Sequence, residues 1–228
     1  MDEQYSFDLT RRPSLGRGDF FISPANATAV ATVESWPDWP SAKLVLHGPE
    51  ASGKTHLAHV WAAQTEATIT DAADLSAADI PALVTAPVVI EDADTLAGDD
   101  AAERALFHLH NLCLAEGRPL LLTAARPPLQ WGLRLPDLAS RMQATATAEL
   151  QPPDDMLLTA VLVKQLIERQ IDFAPDIVTY AIQRMERRFS AAADLAAALN
   201  RAAFSGRRKR LTKPLVRDVL DKMGQPWA

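Results

Sequence analysis

One eight-residue segment constrains the fold of this chain more than any other feature. It completes the pattern G-x-x-x-x-G-K-[ST] and reads Gly48-Pro49-Glu50-Ala51-Ser52-Gly53-Lys54-Thr55. A strand-like run precedes it and a helical pattern follows it, which is the setting that a phosphate-binding loop requires. The glycines allow a tight turn whose N–H groups point inward, and the following helix adds its positive dipole end. All eight residues are predicted to bind ADP or ATP, with Lys54 reaching the β and γ phosphates and Thr55 holding Mg2+.

Strand-like apolar runs alternate with helical patterns between Lys43 and Leu150. The runs read AKLVLH, ATIT, PVVIED, PLLLTA and ATAEL. Strands separated by helices indicate right-handed βαβ units and a mainly parallel sheet that is covered on both faces. Residues 13–150 are therefore predicted to form an α/β P-loop NTPase domain, with an opening helix from Ser23-Pro24 to about Glu34.

The pattern changes after Gln151-Pro152-Pro153, where no further strand is predicted. Four helical patterns follow, at about residues 154–169, 175–187, 191–204 and 213–223, and Pro175 and Pro214 suit the first turns of two of them. Residues 151–228 are predicted to form a small all-helical lid domain. Residues 1–12 lack helix-length periodicity and are predicted to be a flexible tail.

Two acidic residues follow the strand-like run Pro87-Val88-Val89-Ile90 directly. They are Glu91 and Asp92, and the run with its acids is the Walker B arrangement. One carboxylate at the carboxyl end of such a strand can hold Mg2+, and the next can orient or deprotonate an attacking water. Glu91 and Asp92 are thus predicted as Mg2+ ligands, with Thr55, and as catalytic acids. Because a Walker B strand usually ends in Asp, the assignment of the two roles stays open.

Composition excludes several classes of protein. The 23 Lys and Arg against 29 Asp and Glu give a net charge of -6, the wrong sign for a protein that binds DNA mainly by neutralising phosphates. The single cysteine, Cys113, suits a reducing compartment and is predicted to be buried. No apolar run has membrane-spanning length and no signal-peptide pattern is present, so we expect a cytoplasmic protein without a membrane partner.

The order of these motifs resembles the DnaA/Hda family of AAA+ proteins over nearly the whole chain. The phosphate loop and acids are followed by PLLLTAARPP, by LPDLASRM and by a helical lid, and the match is closer to the regulatory branch of the family than to the initiator. The resemblance implies that Thr123 to Ala125 form sensor 1 and that Arg141 is an arginine finger acting on a neighbouring protomer's nucleotide. The sensor 2 position carries Ala193, with Arg187 or Arg188 as substitutes. The resemblance implies that Trp36 and Trp39 line an adenine pocket; the alternative is that both are side chains of the hydrophobic core.

The amino-terminal tail carries a second element of the resemblance. Gln4, Tyr5, Phe7 and Leu9 match the short motif with which the regulatory branch binds the sliding clamp, the beta subunit of DNA polymerase III. Such a peptide can place alternate apolar side chains in a preformed groove while Gln makes a polar contact. The initiator's helix-turn-helix domain has no counterpart in this sequence, so we expect no sequence-specific DNA binding.

Together these features imply a nucleotide-binding negative regulator of replication initiation. It would dock on the clamp and stimulate hydrolysis of DnaA-bound ATP through Arg141, and its own ATPase would be weak. Two alternatives stay open: a self-contained ATPase of the helicase-loader kind, and a clamp adaptor that does not hydrolyse nucleotide. A homo-oligomer is also possible, and the basic run at residues 207–210 is either a solvated loop or a DNA contact.

Overall fold

The computed structural model describes residues 21–205 and 210–223. The chain divides into two compact units between Gln151 and Pro152. The predicted clamp-binding residues Gln4, Tyr5, Phe7 and Leu9, and residues 207–209 of the basic run, lie outside the described ranges.

The first unit is built on five parallel strands. In chain order its elements are α1 (Ala27–Glu34), β1 (Lys43–His47), α2 (Lys54–Thr65), β2 (Thr68–Asp71), α3 (Ile80–Leu83), β3 (Val88–Glu91), α4 (Asp100–Ala115), β4 (Leu120–Ala124), α5 (Pro136–Ala144) and β5 (Ala146–Glu149). The strand order is β2-β3-β4-β1-β5, and every neighbouring pair is parallel. The predicted α/β class and parallel sheet are confirmed.

Both faces of the sheet are packed, as parallel sheets require. Leu44 and Leu46 of β1 face α1 and α2, where Trp61 is fully buried, and Val45 faces the opposite layer with α4. Trp39 belongs to the first layer: its ring stacks on Trp61 with centroids 5.3 Å apart, and its indole N–H donates to the Thr32 carbonyl. Within the described residues Trp39 is therefore a core side chain.

The second unit contains α6 (Asp155–Glu168), α7 (Pro175–Ile182), α8 (Phe189–Ser205) and α9 (Lys213–Met223). A core of apolar side chains, among them Leu158, Leu162, Leu195 and Val216, holds the four helices together. Among the residues that the structure describes, no helix is long and apolar enough to cross a membrane.

Two helix boundaries differ from the sequence expectation. The first helix begins at Ala27 because residues 24–26 form a turn, in which Asn26 Oδ1 accepts from the Ser23 N–H. The helix α7 ends at Ile182 rather than near residue 187, since the N–H groups of Arg184 and Met185 both donate to the Ala181 carbonyl. Shared acceptors of this kind end a helix by tightening its last turn.

A buried lysine lies at the amino-terminal edge of the sheet. Lys43 is only 2% exposed, and its Nζ lies 3.3 Å from Nδ1 of His110 on α4. Burial lowers the pKa of Lys43 to about 8; Cys113 opposes this shift and Arg141 adds to it. Burial also lowers the pKa of His110 to about 4 and raises that of Cys113 to about 11, so the predicted buried thiol is confirmed. Folding therefore disfavours the charged lysine.

We expect the free energy of unfolding to rise with pH relative to a Lys43→Met variant. Between pH 8 and 10.5 the unfolded chain keeps the lysine proton that the folded chain releases, so stability increases as pH rises through this window. From pH 7 to 9 the wild type should gain about 1 kcal/mol over the variant. Urea titrations followed by tryptophan fluorescence measure this difference. The thiol of Cys113, whose pKa burial raises to about 11, stays protonated in both folded proteins up to pH 9, so its effect cancels over this range. Parallel pH profiles of the two proteins would contradict the prediction.

Candidate functional site

Three neighbouring strands end at one edge of the sheet. The phosphate loop follows β1, Glu91 and Asp92 lie at the end of β3, and Thr123 lies near the end of β4. Because the spatial order is β3-β4-β1 and all three run in parallel, their carboxyl ends meet at this edge. Crevices at the carboxyl ends of parallel strands are the usual ligand sites of open α/β sheets.

The phosphate loop is closely packed against the end of the sheet. The Gly48 N–H donates to the Ala124 carbonyl at 3.2 Å, and a Cβ atom on Gly48 would lie 2.3 Å from the Leu150 carbonyl oxygen. Gly53 has a φ of 97° and precedes α2, whose first amides receive no side-chain cap. A tight loop that leads into an uncapped helix start is suited to binding an anion through backbone N–H groups.

The side chains of the loop fit a polyphosphate and its cation. Nζ of Lys54 donates to the carbonyl oxygens of Gly48 and Pro49, both at 2.9 Å. Burial lowers the pKa of Lys54, whereas the charges of nearby carboxylates raise it. Ser52 Oγ is buried and has no hydrogen-bond partner among the described residues, and Thr55 is exposed at the start of α2. These residues supply one ammonium group and two hydroxyls toward a phosphate or a hard cation.

The two predicted acids have different surroundings. Glu91 Oε2 lies 3.4 Å from Nε2 of His59 on α2, and Glu91 Oε1 is buried without a hydrogen-bond partner within the described ranges. Asp92 has a φ of 51°, and its N–H donates to Oγ1 of Thr123 at 3.0 Å. Burial raises the pKa of the Asp92 carboxyl, the charge of Lys54 opposes this shift, and neighbouring carboxylates add to it. Asp92 is thus the acid whose charge depends on the lysine of the loop.

A third acid in this region was assigned no role from the sequence. Asp94 is buried; its Oδ1 accepts from the Ala125 N–H at 3.1 Å and its Oδ2 from Nε of Arg126 at 3.4 Å. Asp94 therefore ties the segment after β3 to the end of β4, where sensor 1 is predicted. Its place in the acidic run after β3 was the only sequence signal, since its partners lie more than 30 residues away.

Arg141 lies at the opposite edge of the sheet from the phosphate loop. It is in the last turn of α5, just before β5, whose start pairs with the start of β1. Its guanidinium carbon is 5.2 Å from the centre of the Phe107 ring. Its positive charge helps to lower the pKa of Lys43 at the amino end of β1. The five residues of β1 span about 15 Å at the usual rise per residue. The structure thus brings together the phosphate loop, Glu91 and Asp92, and leaves Arg141 apart.

The substitutes suggested for the sensor 2 arginine are paired inside the second unit. Arg187 contacts Asp155 at 2.8 Å, and Arg188 contacts Glu186 at 2.5 Å, whereas Ala193 lies on α8. No group of three or more His, Cys, Asp and Glu within residues 21–205 and 210–223 is arranged to hold a metal ion. An Mg2+ ion at the loop would need phosphate and water oxygens in addition to protein ligands, as is usual for this ion.

Comparison with known proteins gives the fold. No protein-family model matches the sequence. Domain III of Thermotoga maritima DnaA superposes with a TM-score of 0.75 at 17% identity, covering 95% of this chain and 100% of that one. This chain has a DnaA-like AAA+ fold. AMPPCP-bound DnaA from Aquifex aeolicus gives 0.69 at 16% identity, with 82% and 65% covered. The Thermotoga maritima RuvB branch migration motor gives 0.63 at 20%, with 79% and 61% covered.

Gly48→Ala should destabilise the first unit more than Gly117→Ala. Both glycines have positive φ, but an added Cβ would strike the Leu150 carbonyl at position 48 and would meet nothing within 4 Å at position 117. The loss of stability in Gly117→Ala reports the cost of a non-glycine residue at positive φ without a clash, about 1–2 kcal/mol. The loss in Gly48→Ala should exceed it because the clash with Leu150 is added. Urea unfolding measures both. Equal losses in the two variants would mean that the loop does not pack on the strand end as described.

Proposed function

We propose that this protein is a nucleotide-binding negative regulator of replication initiation. It docks on the sliding clamp and supplies Arg141 to DnaA-bound ATP, which is then hydrolysed to ADP. The observation that carries this proposal is the separation of Arg141 from the chain's own phosphate loop by the length of β1. A guanidinium so far from its own nucleotide site can act on a phosphate only in another protomer.

The phosphate loop holds the protein's own nucleotide. The backbone from Gly48 to Gly53 encloses the phosphates, Lys54 binds their oxygens, and Thr55, Glu91 and Asp92 hold Mg2+. The uncapped start of α2, the buried and unpaired Ser52 hydroxyl and the requirement for glycine at position 48 support this assignment. The AMPPCP-bound state of the similar Aquifex aeolicus DnaA also supports it. Bound Mg2+ neutralises phosphate charge, and ADP or ATP is the resident ligand.

The nucleotide acts mainly to stabilise the active conformation, and the chain's own hydrolysis is slow. Ala125 offers no polar side chain at the predicted sensor 1, and Ala193 offers none at the predicted sensor 2. The contact of Glu91 with His59 is consistent with a weak ATPase, because it engages one of the two predicted catalytic acids. These features favour a regulator over a self-contained ATPase of the helicase-loader kind.

The guanidinium of Arg141 is suited to contact the nucleotide of a neighbouring protomer. Arg141 is half-buried and its guanidinium lies over the Phe107 ring, a contact that orients the group without neutralising it. Among the described residues Arg141 forms no ion pair with a carboxylate, and Lys43 nearby adds positive charge. Gln4, Tyr5, Phe7 and Leu9 anchor the protein on the clamp, which brings the finger to DnaA on the same DNA.

Lys54→Ala should weaken binding of ADP and ATP by about 10- to 100-fold, because a charge-assisted contact to the phosphates is lost. Isothermal titration calorimetry measures the dissociation constants in the presence of Mg2+. Lys222→Ala, an exposed lysine of the second unit, is the matched control and should bind like the wild type. If folded wild-type protein produced no heat with either nucleotide, the assignment of the phosphate loop would be wrong.

Arg141→Ala should abolish the stimulation of DnaA-bound ATP hydrolysis, lowering the rate by about 1,000-fold or more. The assay mixes ATP-bound DnaA, clamp, DNA and this protein, and Arg118→Ala, an exposed arginine of the same unit, is the control. Deletion of residues 1–9 should prevent clamp binding. Full activity of Arg141→Ala would refute the finger. Rapid ATP turnover by the protein alone would favour the loader, and clamp binding without stimulation would favour the adaptor.

A further inference from the structure

A single buried carboxylate joins two parts of the first unit. One is α5, the finger helix that carries Arg141, and the other is the Walker B segment, residues 92–98, which follows β3. Glu103, in the first turn of α4, is 1% exposed. Its Oε1 accepts from the N–H groups of Gly98 at 2.9 Å and Arg134 at 3.1 Å. Its Oε2 accepts from Arg134 at 2.9 Å and Leu135 at 2.7 Å. One side chain thereby fixes three backbone amides on two separate segments.

The finger helix depends on this carboxylate for its start. The cap residue of α5 is Leu135, whose side chain cannot accept a hydrogen bond, and Pro136 follows it without an N–H group. Glu103 accepts from the N–H of the cap residue Leu135, which is the contact that the third-position glutamate of a capping box normally makes, but it does so from α4. Its negative charge also lies at the positive end of the helix dipole. Burial would raise the pKa of Glu103, but the backbone hydrogen bonds and the Arg134 charge lower it, so the group is charged at neutral pH.

The other segment held by Glu103 begins at the nucleotide-site acids. Asp92 is bound to Thr123 through its N–H, and Asp94 is bound to Ala125 and Arg126. A short 3-10 helix, Ala93–Leu96, continues from these residues toward Gly98, whose N–H is bound by Glu103. The segment is therefore anchored at the sheet edge at one end and at Glu103 at the other. A displacement of Asp92 would be passed along six residues to Gly98 and from there, through Glu103, to the start of α5.

We propose that Glu103 is a positioning residue for Arg141, and that it couples the Walker B segment to the finger helix. Arg141 lies six residues after Leu135, on a nine-residue helix whose start is held by this carboxylate. A change at the start of so short a helix moves the guanidinium at its end. This inference rests on the proposed role of Arg141 and adds to it a route by which the chain's own nucleotide adjusts the finger.

Glu103→Gln tests the inference, because the amide replaces one acceptor oxygen with an NH2 donor that faces a backbone N–H. In the DnaA-bound ATP hydrolysis assay the maximal rate should fall by about 10- to 100-fold, the size expected when a catalytic group is slightly misplaced. The concentration of this protein that gives half the maximal rate, and its ADP dissociation constant, should stay within about 2-fold of wild type. Glu116→Gln, an exposed glutamate at the other end of α4, is the matched control and should be fully active.

A double-mutant cycle separates positioning from a general structural effect. Arg141→Lys keeps a positive charge and is expected to leave a measurable part of the stimulation; if Glu103 acts through Arg141, Glu103→Gln should lower the rate by a smaller factor in this background than in the wild type. An equal loss in both backgrounds would overturn the inference while leaving the finger intact. If instead Arg141→Ala is fully active, the proposed function fails first, and the two failures are therefore distinguishable.

Hydrogen exchange of the wild-type chain tests the inference without a substitution, so misfolding of a variant cannot affect the result. The N–H groups of Gly98, Arg134 and Leu135 should exchange as slowly as amides in the middle of α4. Replacing ADP by AMPPCP should change the exchange of Arg134 and Leu135. Exchange of these two amides as fast as in the exposed loop at Gly132, or exchange that does not depend on the nucleotide, would overturn the inference.

Discussion

The parallel register of β1 with β4 and β5 is the constraint on which the rest of the first unit depends. It brings the carboxyl ends of the strands to one edge, and it leaves the space beside Leu150 that only a glycine at position 48 can occupy. The phosphate loop turns there because no Cβ atom stands between its backbone and the strand end. The contacts of Lys54 with the Gly48 and Pro49 carbonyls are made in the loop that this close approach shapes.

The same sheet separates two kinds of charge. The acids and the loop lysine gather at the carboxyl edge, where burial and mutual charges shift the pKa values of Lys54 and Asp92. Lys43 and Arg141 lie at the amino edge, where burial lowers the pKa of the lysine. This separation of a candidate phosphate site from a guanidinium is the basis for the proposal that the protein acts on the nucleotide of another protomer. The hydrogen bonds of Asp94 and Glu103 provide a physical connection between the two edges.

The prediction from sequence succeeded where the signal was local. All five strands were found because each is a short apolar run bounded by helices, and α9 has its predicted bounds. The end of α7 was missed because a shared carbonyl at Ala181 ends the helix where the apolar pattern continues. Asp94 and Glu103 were missed for another reason. Apart from Gly98, which lies five residues before Glu103, their partners lie about 30 residues away in sequence, and acids in a loop or a first helical turn usually face solvent.

The sequence by itself determined the parallel α/β sheet, the loop that follows its first strand and the residue types at the candidate site, since periodicity and a complete motif are local properties. Only the tertiary structure decided which acid receives which contact, that Arg141 lies at the far edge from the loop, and that Glu103 caps a helix it does not belong to. Those properties depend on which strands become neighbours, and strand order is set by packing between segments that are distant in the chain.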